Sequence, residues 1–104
     1  LKREHLKQLR SEAIVINVSR GSLLDEKALF DLIKDHKIAG AGLDVLTREE
    51  KVVASTSLDP LQTLQREGYN VVVTPHIGGM CWDAFDAAQR HVAQKLIEKV
   101  IQKQ

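Results

Sequence analysis

The sequence predicts an α/β fold built on a parallel sheet, and three observations carry that expectation. β-branched or glycine-bearing apolar runs recur at residues 13–18, 38–46 and 71–74, a helical pattern separates the first two, and each run breaks off into residues able to do chemistry. A strand, helix, strand succession implies a right-handed parallel crossover. At 104 residues, 43% hydrophobic and 28% charged, the chain has the composition of one globular domain at most.

Each element has a local reason. Residues 2–10 place Leu6 and Leu9 among charges and predict a short amphipathic helix. Ala13 to Val18 is continuously apolar except at Asn17, the pattern of a strand covered on both faces, and Gly21 breaks it. Asp25 is placed to cap a helix that opens with Glu26, buries Ala28, Leu29, Leu32 and Ile33, and ends near His36. Ile38 to Leu46 reads as a second buried strand whose Gly40 and Gly42 permit close backbone approach. Residues 47–57 read as a loop, followed by a short helix carrying Leu58, Leu61 and Leu64 around Pro60 and ending before Gly68. Asn70 opens a third strand, Val71 to Thr74, which Pro75 stops. From Trp82 to Gln102 apolar residues recur every three or four positions, predicting a long helix with an apolar stripe that needs covering.

Bulk properties narrow the function. Fifteen basic against fourteen acidic residues, with no block of like charges, give no sign of a nucleic-acid partner. No apolar run approaches the roughly 20 residues that span a bilayer, so a membrane partner is not expected. The single cysteine, Cys81, has no partner for an internal disulfide, which fits a reducing, cytoplasmic compartment. It reads as a buried free thiol rather than a nucleophile. No histidine or cysteine spacing suggests a metal site. The first residue is Leu1 rather than Met, and the chain is expected to have been cut from something longer.

The chemistry sits just past the three strands. Parallel strands end at one sheet edge, where ligands bind in open α/β sheets. Arg20 follows the first strand, and its planar fork suits a carboxylate or α-keto group. Asp44 ends an apolar strand, and a carboxylate there needs donors from a ligand or from nearby backbone. Glu49 and Glu50 follow in a loop; either could reach His76, and the spacing does not choose between them. His76 lies between Thr74-Pro75 and Ile77-Gly78-Gly79, where the glycines leave the backbone open to a ligand and histidine is the natural acid/base near neutral pH. His5, His36 and His91 lack such context and are expected at the surface.

Residues 13–46, with Asn17-Val18-Ser19-Arg20-Gly21 and Ala41-Gly42-Leu43-Asp44-Val45, and residues 70–79, with Thr74-Pro75-His76-Ile77-Gly78-Gly79, resemble the D-isomer-specific 2-hydroxyacid dehydrogenases. That resemblance implies the second half of a doubly wound, Rossmann-like domain over residues 1–80, lacking the glycine-rich G-x-G-x-x-G turn. It also implies a C-terminal helix over 81–104 that returns to the substrate domain of a longer parent. It implies an oxidoreductase using NAD or NADP on a small 2-hydroxy or 2-keto acid, glyoxylate/hydroxypyruvate reductase-like or phosphoglycerate dehydrogenase-like, homodimeric in the parent and inactive as the fragment. In this likeness Arg20, Glu49 and His76 are catalytic, Glu49 being favoured over Glu50. Asp44 contacts the nicotinamide carboxamide, and Val18, Ser19, Arg20, His76, Ile77, Gly78 and Gly79 border the cofactor. The contrasting expectation is a cofactor-sensing dimeric binding module of corepressor type, without turnover.

Overall fold

A computed structural model describes residues 1–49 and 58–101. Within them the order is α1 (Arg3–Leu6), β1 (Ile14–Asn17), a 3-10 turn (Gly21–Leu23), α2 (Glu26–Lys34), β2 (Gly40–Leu43), α3 (Pro60–Arg66), β3 (Val71–Val73) and α4 (Trp82–Ile101). The predicted elements are all present, with shorter strands and a shorter first helix than the apolar runs suggest, and within the predicted loop Thr47 and Arg48 form a turn while Glu49 is helical. Glu50, the rest of the predicted loop to residue 57 and the end of the last helix at Gln102 lie outside the described residues.

The sheet is parallel, in the order β1-β2-β3. Val15 pairs with Ala41 and Ala41 with Val71, so these three share one face. That face packs against Leu6 of α1, Ala28, Leu29 and Ile33 of α2, and Leu61 and Leu64 of α3, all buried. Because all three strands run the same way, Val18, Asp44 and Thr74 leave from a single edge. The ladder reaches that edge: Asp44 N donates to the Asn17 carbonyl at 3.0 Å and Thr74 N to the Leu43 carbonyl at 2.9 Å.

Helix ends are closed by local chemistry. Asp25 accepts the Ala28 amide at 2.9 Å to start α2. Asp59 accepts the Leu61 amide at 2.9 Å, Gln62 returns a bond to the Asp59 amide, and Pro60 fills the first turn of α3. Both helices stop in the same way. Lys37 N donates to the Leu32 carbonyl around His36 at φ 52°, and Tyr69 N donates to the Leu64 carbonyl around Gly68 at φ 87°. His36 is exposed, as are His5 and His91, and its ring stacks on Tyr69.

One expectation needs correction. The first strand is not covered on both faces: Ile14 is 57% exposed, Ile16 71% and, on β3, Val72 58%. Three helices coat one face of the sheet and, within the described residues, nothing coats the other. The apolar stripe of α4 is likewise uncovered, and the helix buries no side chain. A 20-residue helix is about 30 Å long. Its projection accounts for a radius of gyration of 18.0 Å, against about 13 Å for a compact chain of this size.

Candidate functional site

Three loops meet at the carboxyl edge of the sheet, and each is tied by a polar side chain at its strand end. After β1, Asn17 closes the turn: its Oδ1 accepts the Ser19 amide at 3.1 Å and its Nδ2 donates to the Arg20 carbonyl at 2.9 Å. Arg20 is exposed, and one guanidinium nitrogen donates to the Ser19 carbonyl at 2.7 Å. A guanidinium carries five N–H donors, so the fork keeps capacity for an anion. Gly21 then passes so close to the β2 loop that a Cβ there would lie 2.3 Å from both the Leu46 carbonyl carbon and the Thr47 nitrogen. Only glycine permits that approach.

After β2, Asp44 is 8% exposed and fully engaged with the third loop. Its Oδ1 accepts from the Thr74 hydroxyl and from the Ile77 amide at 3.0 Å, and its Oδ2 accepts the Gly78 amide at 2.9 Å. The hydrogen bond from Thr74, then those from Gly78 and Ile77, hold this carboxyl below its ordinary value of 3.8. The donors that a strand-end carboxylate requires are thus supplied by the protein itself. One acceptor position remains on Oδ2, which receives a single bond.

The third loop carries His76 in the left-handed region, at φ 55°, with its amide donating to the Thr74 carbonyl at 3.0 Å. Such a backbone state is unfavourable for a residue with a side chain and persists where surrounding bonds fix it. Here Asp44 does so from both sides of the loop. The imidazole Nδ1 lies 2.6 Å from Glu49 Oε2, and the other Glu49 oxygen accepts the Leu46 amide at 2.6 Å. Burial alone would raise the Glu49 pKa. The Leu46 bond and the bond and charge of His76 together outweigh it, so the carboxyl titrates below its ordinary 4.5. Glu49 is therefore ionised near neutral pH and holds the imidazole by Nδ1, which leaves Nε2 as the nitrogen available for proton transfer.

Arg20, Asp44, Glu49 and His76 are thus connected through short contacts. The Arg20 loop abuts Leu46 and Thr47 at Gly21, Leu46 is held by Glu49, Glu49 holds His76, and Asp44 holds the loop that carries it. Val18 and Ile77 are exposed apolar side chains on this edge, and Ser19, Gly78 and Gly79 are exposed beside them. A Cβ on Gly79 would meet nothing within 4 Å, whereas one on Gly78 would lie 2.9 Å from Asp44 Oδ2. Cys81, expected to be buried, is exposed and takes no part. The sequence reading gave Asn17 and Thr74 no role, although each is a polar residue ending an apolar run, which is the signal that would have found them.

The chain as a whole is similar to known proteins. The profile of the D-isomer specific 2-hydroxyacid dehydrogenase, NAD binding domain, matches residues 1–78. The glyoxylate reductase of Pyrococcus furiosus is 42% identical over 94 residues, covering 90% of this chain and 25% of that protein. Among solved structures, an acyclic imino acid reductase in complex with NADPH and D-arginine superposes with a TM-score of 0.70 at 29% identity, over 98% of this chain and 30% of the other. The NAD-complexed D-isomer specific 2-hydroxyacid dehydrogenase of Lactobacillus delbrueckii ssp. bulgaricus gives 0.62 at 37% identity, over 74% and 25%. The chain spans about a quarter of the length of the curated relative described here.

Proposed function

This chain belongs to the D-isomer-specific 2-hydroxyacid dehydrogenases, within their NAD-binding domain, and from that premise we propose that the protein carrying it interconverts a 2-hydroxy acid and a 2-keto acid. The observation that carries the proposal is the Glu49–His76 pair at 2.6 Å, at the sheet edge it shares with Arg20. Hydride acceptance and donation belong to the nicotinamide, NAD or NADP, when bound.

The chain's own residues supply the rest. Arg20 binds the substrate carboxylate and polarises the keto oxygen with its remaining donors. His76 takes the hydroxyl proton at Nε2 in oxidation and returns it in reduction, with the ionised Glu49 carboxylate offsetting the charge of the imidazolium. Asp44 contacts the carboxamide through Oδ2, which accepts a single bond within the chain, and Val18, Ser19, Ile77, Gly78 and Gly79 border the ring. The 42% identity to a glyoxylate reductase supports a small 2-keto acid of the glyoxylate or hydroxypyruvate kind.

Three further readings belong to this proposal. The parent is a cytoplasmic homodimer, which the lone Cys81 and the uncoated apolar surfaces support. Residues 81–104 return to its substrate domain, as the bare stripe of α4 suggests. The 104-residue chain alone has no turnover.

The test is to assay the full-length protein with glyoxylate, hydroxypyruvate, pyruvate and phosphohydroxypyruvate and both reduced cofactors. Turnover is expected with at least one, and His76→Ala should lower kcat by about 10²- to 10⁴-fold with the fold intact. Cofactor binding without turnover of any 2-keto acid would sink the proposal, and a cofactor-dependent dimer in that case would point to a sensing module.

A further inference from the structure

The turn that leads from β2 to Glu49 is held at two adjacent peptides. Glu49 accepts the Leu46 amide, and Glu26, in the first turn of α2, reaches across to accept the Thr47 amide at 2.7 Å. Gly21 presses against the same Leu46–Thr47 link. Of these contacts, the one from Glu26 ties the loop to the core, because α2 is buried through Ala28, Leu29 and Ile33.

We propose that Glu26 is a positioning residue for the Glu49–His76 pair: by holding Thr47 against Gly21 it fixes the short span from which Glu49 reaches both Leu46 and His76. The inference rests on the reading of His76 as proton carrier. Glu26 has no need of this bond as a helix residue. Asp25 already caps α2 through Ala28, and an acid in the first turn gains from the helix dipole without reaching a partner 21 residues away. Its setting is also unfavourable for a carboxylate. Burial, with added repulsion from Asp59 and Glu49, raises its pKa above the ordinary 4.5 in spite of the Thr47 bond. What the side chain contributes there is an acceptor oxygen at the right reach, not a charge.

The consequence for catalysis follows from distances. Thr47 and Arg48 are exposed, and Thr47 lies beyond the β2 ladder, so releasing its amide frees the span between Leu46 and Glu49. Small displacements of a proton-transfer group lower turnover steeply. Glu26→Ala removes the acceptor. Glu26→Asp keeps the charge but is one methylene short, and Glu26→Gln keeps an acceptor oxygen at full reach without the charge.

In the full-length protein, Glu26→Ala and Glu26→Asp should each lower kcat by about tenfold with little change in the KM for reduced cofactor, and Glu26→Gln should retain most of the turnover. In a Glu49→Ala background, Glu26→Ala should lower kcat by less than about twofold, because the pair it positions is already gone. An activity-free readout accompanies these: the ring-nitrogen NMR signals of His76 should move in Glu26→Ala toward those of Glu49→Ala. Equal factors in both backgrounds, including no loss in either, would overturn the proposal. So would unmoved His76 signals, or an active Glu26→Asp beside an inactive Glu26→Gln. If Glu26→Ala does not fold, the Asp and Gln variants decide by turnover and by the same signals. A wild-type protein without turnover of any 2-keto acid would refute the dehydrogenase reading, and the His76 signals would still judge the role of Glu26.

Discussion

Asp44 shows how one carboxylate can serve structure and ligand together. Three donors from the 74–78 loop converge on it, which fixes the backbone around His76 while Oδ2 accepts only one of them. Its folded pKa lies below the ordinary 3.8. The bonds therefore contribute stability that is present above the unfolded value and is lost as the pH falls through the lower folded value. Glu49 acts in the same direction, from 4.5. Asp44→Asn turns an amide NH2 or a single carbonyl toward amides that want two acceptors, so it should lower stability at pH 7 and flatten the loss between pH 5 and the acid limb. Thermal melts across that range check the outcome. In the sequence Asp44 was legible as a carboxylate in need of donors, with a ligand and nearby backbone both open as their source, and the chain itself supplies them from Thr74, Ile77 and Gly78. That distinction depends on a loop 30 residues away, and no local pattern encodes it. The choice of Glu49 over Glu50 had the same origin: spacing left both open, the family likeness favoured Glu49, and the 2.6 Å contact is made by Glu49.

At the scale of elements, the helix ends were the most legible features. Asp25 announces α2 because a cap is a local interaction between neighbours in sequence, whereas α3 was placed by its leucines and Pro60 and its cap, Asp59, was passed over. Gly68 marks the end of α3 for the same reason, since its φ of 87° suits glycine alone. A Cβ there would meet no atom within 4 Å. Gly68→Ala should therefore destabilise through backbone strain alone, by about 1 kcal/mol, with the protein still folded; chemical denaturation would measure it. His36 occupies the equivalent position on α2 without being a glycine, and so the end of that helix was placed less sharply, at His36 rather than at Lys34. Strand lengths were overestimated because apolar residues continue past the ladder: Val45 and Leu46 are buried beyond the end of β2, in loop rather than strand.

At the scale of the molecule, the sequence reported accurately that both strand faces are apolar and misled on what covers them. Continuous apolarity in β1 records the surroundings for which the strand is suited, and helices within this chain meet only one face. Ile14, Ile16 and Val72 on the sheet and Val92, Leu96 and Ile97 on α4 remain in contact with solvent. Apolar surface of this extent favours association. The 104-residue chain on its own should bind a hydrophobic dye and sediment as larger species with rising concentration, and Ile16→Lys should weaken both effects. A dye-silent, monodisperse sample would contradict this.

Both described residues that hold a side chain in the left-handed region are histidines, and the parallel sheet sends them to opposite ends. His36 precedes β2, on the edge where strands begin, and His76 follows β3, on the edge where they finish. Conformational tension at the first edge has no link to proton transfer, whereas at the second it is part of how the imidazole is presented. Robustness and reactivity are thus addressed at separate ends of the same three strands. His36→Gly would relieve the left-handed strain at the first edge and harden the protein against heat, while the geometry around position 76 stays as it is.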